Sequence, residues 1–203
     1  MPLEMAVKSK ENMKILGISA SPRIGGNTDL LLDRVLLFSS SKGTEVEKIN
    51  LALLKYSPCL ECDNVKQDGT CKVEDDMRKV YKAVEEADIL VLASPVFFGS
   101  LSAQAKMMID RFQCRWLAVN VFGTIKEPRR RPGIFLAVEA SQRQDFFENA
   151  KAVVKNWFKT AGISYKGELF CSGVESKGAI NEHPGCLQRA EELGKKIAGG
   201  GIL

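Results

Sequence analysis

The chain has 203 residues, 45% of them hydrophobic and 27% charged, with a net charge of +4. That length and balance suit one folded domain with a real core and exclude a disordered or collagen-like chain. The charge is too mild to argue for nucleic acid, and no apolar run reaches the length of a membrane span. Residues 1–12 are polar and charged, lack the apolar stretch of a signal peptide, and are expected to form a loose arm before a single domain over 13–203. Without an export signal the expected compartment is the cytoplasm, where the six cysteines would stay reduced thiols.

The first predicted strand, Lys14–Ser19, runs into a polar turn and then a helix over Asn27–Ser40. Strand, turn and helix in that order aim backbone N–H groups and a helix N-terminus at an anion. Ser21 and Thr28 add hydroxyls, Asn27 an amide, and Arg23 a fixed charge with bidentate reach to phosphate. Gly25 and Gly26 let the backbone approach a ligand closely. A plain turn with Asn27 or Thr28 as helix cap would explain one of these residues, not all of them. The stretch has neither the lysine of a Walker loop nor G-x-G-x-x-G, so the two commonest nucleotide signatures are absent.

Glu45–Leu51 alternates charged and apolar residues and reads as an edge strand. A loop over 57–72 carries Cys59, Cys62 and Cys71; the C-x-x-C pair and third cysteine have metal or redox character. Glu74–Glu86 has Met77, Val80, Tyr81 and Val84 at helical spacing, with Asp75 and Asp76 in its first turn. Asp88–Ala93 is nearly all apolar, as a buried parallel strand should be. The helix expected over Ser102–Phe112 would bury Met108, Ile109 and Phe112 and leave Asp110 and Arg111 in solvent. Residues 113–131 read as a long lid or contact arm with Trp116, Pro128 and Arg129 to Arg131; the arginines either meet a nicotinamide's anionic groups or form a solvated turn. Ile134–Val138 is a strand, Phe146–Thr160 an amphipathic helix, Ile163–Phe170 a strand and Glu182–Ile197 a last helix with Pro184 and Gly185 near its start. His183 has no catalytic partner nearby in sequence and reads as part of a surface turn.

Five strands alternating with five helices predict an α/β fold, a doubly wound five-stranded parallel sheet of flavodoxin-like order 2-1-3-4-5. Ligands bind such sheets at the carboxyl ends of the strands, where strand order reverses. A second binding loop is therefore expected at Ser94–Ser100. The backbone of Pro95, Val96 and Gly99 suits the edge of a planar ring, and Phe97 and Phe98 suit its plane, unless the two rings pack into the core. The loop Glu139–Gln142 should face the same ligand, with Ser141 as a contact or as a helix cap.

The run G-x-S-x-S-P-R-x-x-G-N-T after the first strand resembles the flavin phosphate loop of the NADPH-dependent FMN reductase superfamily. Ser94–Ser100 resembles that family's S-P-V-Y-F-G, with Phe97 in the usual tyrosine position, and Lys106–Arg111 resembles its K-x-x-I-D-R helix. The resemblance spans roughly 13–195, nearly a whole domain by length. It implies FMN held without a covalent bond, by Ser19, Ser21, Arg23, Asn27 and Thr28 at the phosphate and by Pro95, Val96, Phe97, Phe98, Gly99 and Ser141 at the ring. It also implies an enzyme that passes electrons from NAD(P)H, a transient donor, to a quinone, flavin, metal ion or protein, and a homodimer or homotetramer. The chemistry would belong to the flavin, so no protein acid or base is required.

The nearest branch resembles the iron–sulfur flavoproteins, whose motif is C-x-x-C-x-x-C with a fourth cysteine beyond. Val65 stands at the third position here. Cys59, Cys62 and Cys71 are then one thiolate short of a [4Fe-4S] cluster, and Asp63 or Asp68 is the nearby substitute. Zinc would also lack a fourth ligand. The leading expectation is an iron-free reductase with a structural cysteine loop; the alternative is an iron–sulfur electron carrier between redox proteins.

Overall fold

The computed structural model describes residues 13–62, 66–126 and 129–202. The arm 1–12, Asp63, Val65 and Pro128 lie outside the described residues. Three strands rich in Ile, Leu and Val form the centre: β1 (Met13–Ser19), β3 (Ile89–Phe97) and β5 (Arg131–Val138). They are flanked by β2 (Thr44–Asn50) and β6 (Ile163–Cys171), in the order β2-β1-β3-β5-β6, with every neighbouring pair parallel. Counting these five alone gives the expected 2-1-3-4-5, which reverses between the first and third strands.

The alternation along each strand divides the core into two layers. Leu16, Ile18, Leu90, Leu92 and Phe135 face one side, under α2 (Met77–Glu86), α3 (Ala103–Asp110) and α5 (Gln144–Thr160). Ile15, Ile89, Val91, Ile134 and Leu136 face the other, under α1 (Asn27–Ser39) and α6 (Pro184–Ala198). Helices α1 and α6 pack closely. A Cβ on Gly194 would stand 2.6 Å from the Val35 carbonyl oxygen, so only glycine permits this approach.

Several expectations are corrected. The 113–131 segment contains a helix, α4 (Gln113–Asn120), which buries Cys114 and Ala118. Its weakly amphipathic sequence hides it from a periodicity reading. Helix α2 begins at Met77, so Asp75 and Asp76 stand before it, with Asp75 Oδ1 accepting from the Met77 N–H at 3.0 Å. Strand β3 does not stop at Ala93. It continues through Pro95 to Phe97 and pairs antiparallel with β4 (Ser100–Leu101), so the expected loop is a hairpin. Helix α6 begins at Pro184, which needs no N–H at that position.

The thiols are not all reduced. Cys171 ends β6 and Cys186 lies in the first turn of α6; the two are joined by a disulfide, with Cα atoms 6.1 Å apart. The pairing follows from α6 folding back against the end of β6, a contact that spacing alone does not reveal.

Candidate functional site

At the carboxyl ends of β1, β3 and β5 lies a cavity of about 230 Å³. Ser21, Arg23, Asn27 and Thr28 line one side and Pro95, Val96 and Phe97 another. The fold therefore brings two separately expected stretches to one place, where strand order reverses. Ser19, Phe98, Gly99 and Ser141 do not line it. Ser19 is fully buried under the turn, and Ser141 is exposed and does not cap α5, whose N-cap is Arg143. Gly99 packs on α5: a Cβ there would meet the Phe146 ring at 3.0 Å.

The turn after β1 is held by its own atoms. Ser21 Oγ donates to the Arg23 carbonyl at 3.0 Å and accepts from the Arg23 N–H at 3.1 Å, so Ser21 shapes the loop. A Cβ on Gly26 would stand 2.9 Å from the Arg23 carbonyl and 3.2 Å from Ser21 Oγ, so the cradle closes with any larger residue. Helix α1 has no side-chain cap, which leaves its first N–H groups beside the cavity without one. Asp29, in its first turn, is fastened elsewhere: it accepts from the Gly25 N–H at 2.9 Å and pairs with Lys48 at 2.8 Å. Burial pushes its carboxyl up, but Lys48 and the Gly25 N–H outweigh that and hold it below the usual range.

Asn27 reaches across the mouth. Its Nδ2 donates to the Ser176 carbonyl at 2.8 Å and its Oδ1 accepts from the Ile180 N–H at 3.2 Å. This clasp seats the loop after β6, and Val174, Glu175 and Lys177 of that loop line the cavity. Ser102 does similar work beneath. It caps α3, accepting from the Ala105 N–H at 3.2 Å, and donates to the Ala20 carbonyl at 2.7 Å. Glu139 and Ala140 of the expected third loop line the cavity as well. Sequence reasoning missed Lys177 and Val138; the polar loop before α6 carried no motif to draw attention to it.

Other expected features lie elsewhere. Arg131 starts β5, at the opposite end of the strand from the cavity, and is 6% exposed. It donates to the Ala161 carbonyl at 3.2 Å, and burial, then the neighbouring Arg129 and Arg115, push its guanidinium down to about 10. Arg129 pairs with Asp88. Arg129 and Arg130 are exposed, as a solvated turn requires, whereas Arg131 is buried; none of the three lines the cavity. A larger groove of about 850 Å³ crosses the β2 edge, but the charges along it already pair with one another, as Lys48 does with Asp29 and Asp33 and Lys14 with Glu86.

In the cysteine loop no cluster site is formed among the described residues. Among the described residues no three His, Cys, Asp or Glu side chains stand together as metal ligands. Cys71 Sγ instead accepts from Arg111 Nη2 at 3.4 Å. With valine at position 65, the residues present do not fit a four-iron cluster.

Comparison with known proteins identifies a family. Residues 13–163 match the family described as NADPH-dependent FMN reductase. An iron–sulfur flavoprotein of Methanocaldococcus jannaschii is 34% identical over 193 residues, covering 92% of this chain and 96% of that one. An iron–sulfur flavoprotein of Archaeoglobus fulgidus is 40% identical over 186 residues, covering 92% and 79%. The FMN-dependent NADH-azoreductase of Bacillus anthracis, solved in complex with FMN, shares the fold at a TM-score of 0.66 and 14% identity, covering 91% and 99%.

Proposed function

The chain belongs to the NADPH-dependent FMN reductase family, and from that premise we propose that it binds FMN in the cavity at the β1–β3 reversal and passes electrons from NAD(P)H to a small-molecule or protein acceptor. The observation that carries this reading is the cavity itself. It has an uncapped helix N-terminus and a glycine cradle at one end and the Pro95–Phe97 wall at the other. Those residues fit the group. An ester phosphate suits the α1 N-terminus, with Thr28 inside and Arg23 and Lys177 at the rim. A planar ring suits the Pro95, Val96 and Phe97 wall.

When bound, FMN supplies hydride acceptance and an electron store. The chain's residues bind and orient. Ser21 and Asn27 shape the site, one inside its loop and one by clasping the β6–α6 loop. No protein acid or base is needed in this reading.

The closed part of the cavity, about 230 Å³, is smaller than the roughly 300–1,000 Å³ of complete small-molecule pockets. Phe97 and Phe98 beside it are 46% and 107% exposed. We take this as support for a homodimer or homotetramer in which a second copy covers the ring. The reading places the chain in the cytoplasm, where a nicotinamide donor is at hand. Among the described residues no helix is long and apolar enough to cross a membrane.

The test is direct. Protein incubated with FMN and desalted is expected to keep the flavin's visible absorbance and to oxidise NADH or NADPH in the presence of a quinone, a flavin or ferric iron. G26A, which fills the cradle, is expected to bind FMN more weakly while binding riboflavin nearly as before. Protein that takes up no FMN at micromolar concentration would sink the proposal.

A further inference from the structure

The Cys171–Cys186 disulfide closes a loop that forms one wall of the cavity. The two cysteines stand 15 positions apart, one ending β6 and the other in the first turn of α6. Between them, Val174, Glu175 and Lys177 line the cavity. The near end of this loop is held by backbone: the Glu139 N–H donates to the Cys171 carbonyl and the Val174 N–H to the Glu139 carbonyl, both at 3.0 Å. Asn27 holds the middle, at Ser176 and Ile180. The disulfide ties the far end back to the near one, and it is the one of these fastenings that a redox reaction can open.

The surroundings of the two sulfurs favour exchange. Arg189 Nη2 lies 3.4 Å from Cys186 Sγ and 3.9 Å from Cys171 Sγ. The same guanidinium donates to the Gly185 carbonyl at 3.3 Å and the Phe170 carbonyl at 3.0 Å, which fix it there. Cys186 also sits among the first N–H groups of α6, a helix with no side-chain cap. A neighbouring guanidinium and a helix N-terminus both stabilise a thiolate, and a disulfide whose sulfurs leave readily as thiolates exchanges faster. Cys186 keeps 8% of its surface in solvent against 1% for Cys171, and the Arg189 side chain beside them is exposed. Cys186 is therefore the sulfur that a reductant meets first.

We propose that Cys171 and Cys186 form a thiol–disulfide switch on the cavity wall, closed for tight ligand binding and opened by a dithiol reductant. The reductant's thiolate attacks Cys186 Sγ, the S–S bond breaks, and its electron pair leaves on Cys171 Sγ, which takes a proton. The reductant's second thiolate then attacks its own bound sulfur and releases Cys186 as a thiolate beside Arg189. The reductant ends as a disulfide and the protein as a dithiol, two electrons and two protons having passed between them. With the bond open, loop 172–185 keeps only its hydrogen bonds and packing, and a ligand must pay to order the wall it binds. In the cytoplasm proposed above, disulfides that persist are mostly redox-active ones. The switch rests on the FMN reading only for the ligand that reports it.

The experiment equilibrates the native full chain in buffers of reduced and oxidised dithiothreitol, with and without FMN. Alkylation and peptide mass spectrometry then give the fraction of Cys171 and Cys186 reduced. FMN affinity, measured by flavin fluorescence, is expected to fall about tenfold on reduction, within the range of coupling between linked sites. Linkage then requires FMN to make the bond harder to reduce by the same factor, a drop of about 30 mV in the midpoint of this two-electron couple. A C171A/C186A double variant should bind FMN like the reduced wild type and ignore dithiothreitol. R189M should slow reduction severalfold and leave the FMN affinity of the closed form unchanged.

A bond that resists dithiothreitol until the protein unfolds is a staple, and the proposal is then overturned. Equal FMN affinity in the oxidised and reduced forms overturns it as well, because the wall would need no bond. Should the double variant fail to fold, chemical reduction of wild type decides without any substitution. Protein that takes up no FMN in either state removes the FMN reading alone. Limited proteolysis then settles the switch: cleavage within 172–185 after reduction and not before it upholds the proposal, and the same cleavage in both states ends it.

Discussion

The Arg111 guanidinium, 1% exposed, is gripped by both carboxylate oxygens of Asp75, at 2.6 and 3.2 Å. The same group donates to the Ser57 carbonyl at 2.9 Å, the Val73 carbonyl at 3.4 Å and Cys71 Sγ at 3.4 Å. Arg111 was expected in solvent. It instead fastens both ends of the cysteine loop to the end of α3. Removing one partner of such a pair leaves a buried charge uncompensated, so R111A is expected to lower stability by about 3–5 kcal/mol. R111K should recover little, because an ammonium cannot bridge two oxygens and three further acceptors. Urea unfolding measures both.

The same pair sets an acid limit. Burial pushes the Asp75 carboxyl up, but Arg111 and the Ser57 and Met77 N–H groups outweigh it and hold the group below the usual carboxylate range. A carboxyl depressed on folding contributes stability that is fully present above its unfolded value, about 3.9, and is lost as pH falls through the folded value. Wild type should therefore lose stability on acidification below about pH 4 more steeply than D75N, which starts lower. Parallel slopes for the two proteins would contradict the assignment.

Asn27 ties two segments 149 residues apart in sequence through its bond to Ser176. N27A removes that bond and the one from Ile180, and is expected to cost about 1–3 kcal/mol. The local effect should be larger than the global one. The loop at 172–180 should become a protease site, and FMN affinity should fall with it, because Lys177 and Val174 lose their seat. An N27A protein whose loop resists cleavage and whose FMN affinity is unchanged would show that the clasp is incidental.

Phe98 occupies the left-handed region, with φ of 50°, followed by Gly99 at 73°. Two successive positive φ values in a two-residue hairpin loop favour Asn-Gly or Gly-Gly, and a bulky residue there is strained. Phe98 also buries nothing in the chain itself. F98N should therefore raise Tm by about 2–4 °C, the shift that 1 kcal/mol produces at this size. If the strain is kept because Phe98 meets the flavin or a second copy, the same variant should lower turnover or loosen self-association. Sedimentation and melting curves report the two effects separately.

Cys114 is buried in α4, and burial, then the nearby Cys71, push its thiol up to about 11. At pH 8 only about one part in a thousand is thiolate, the reactive form. Cys59, Cys62 and Cys71 are half-buried and free, while Cys171 and Cys186 are paired. A thiol reagent should therefore titrate three groups in the native protein, a fourth on unfolding, and six after reduction. Fast reaction of four native thiols would mean that α4 opens readily.

Much of the fold was legible because its signals are local. The apolar run of β3, the alternation of β2 and the turn chemistry between β1 and α1 each lie within a short window. The rule that ligands sit where strand order reverses then brought Ser21–Thr28 and Pro95–Phe97 together before any coordinates. Within the third loop Glu139 and Ala140, not Ser141, line the cavity. Ser141 is polar and cap-like but exposed, whereas Glu139, still in the strand's register, turns into the cavity wall. Helix α4 escaped notice because its eight residues show little periodicity.

The sequence by itself determined the order of elements, the layering of the core, the place of the cradle and the lack of a third cluster cysteine. These depend on backbone preferences and on the period of apolar residues, which neighbours in the chain decide. Only the tertiary structure decided that Arg111 is buried on Asp75, that Asn27 closes a distant loop, that Cys171 meets Cys186 and that one oxygen of Glu139 is left over. Each is a matter of which groups from remote segments arrive within about 3 Å of one another, and hydrogen bonds and ion pairs lose their strength beyond that range.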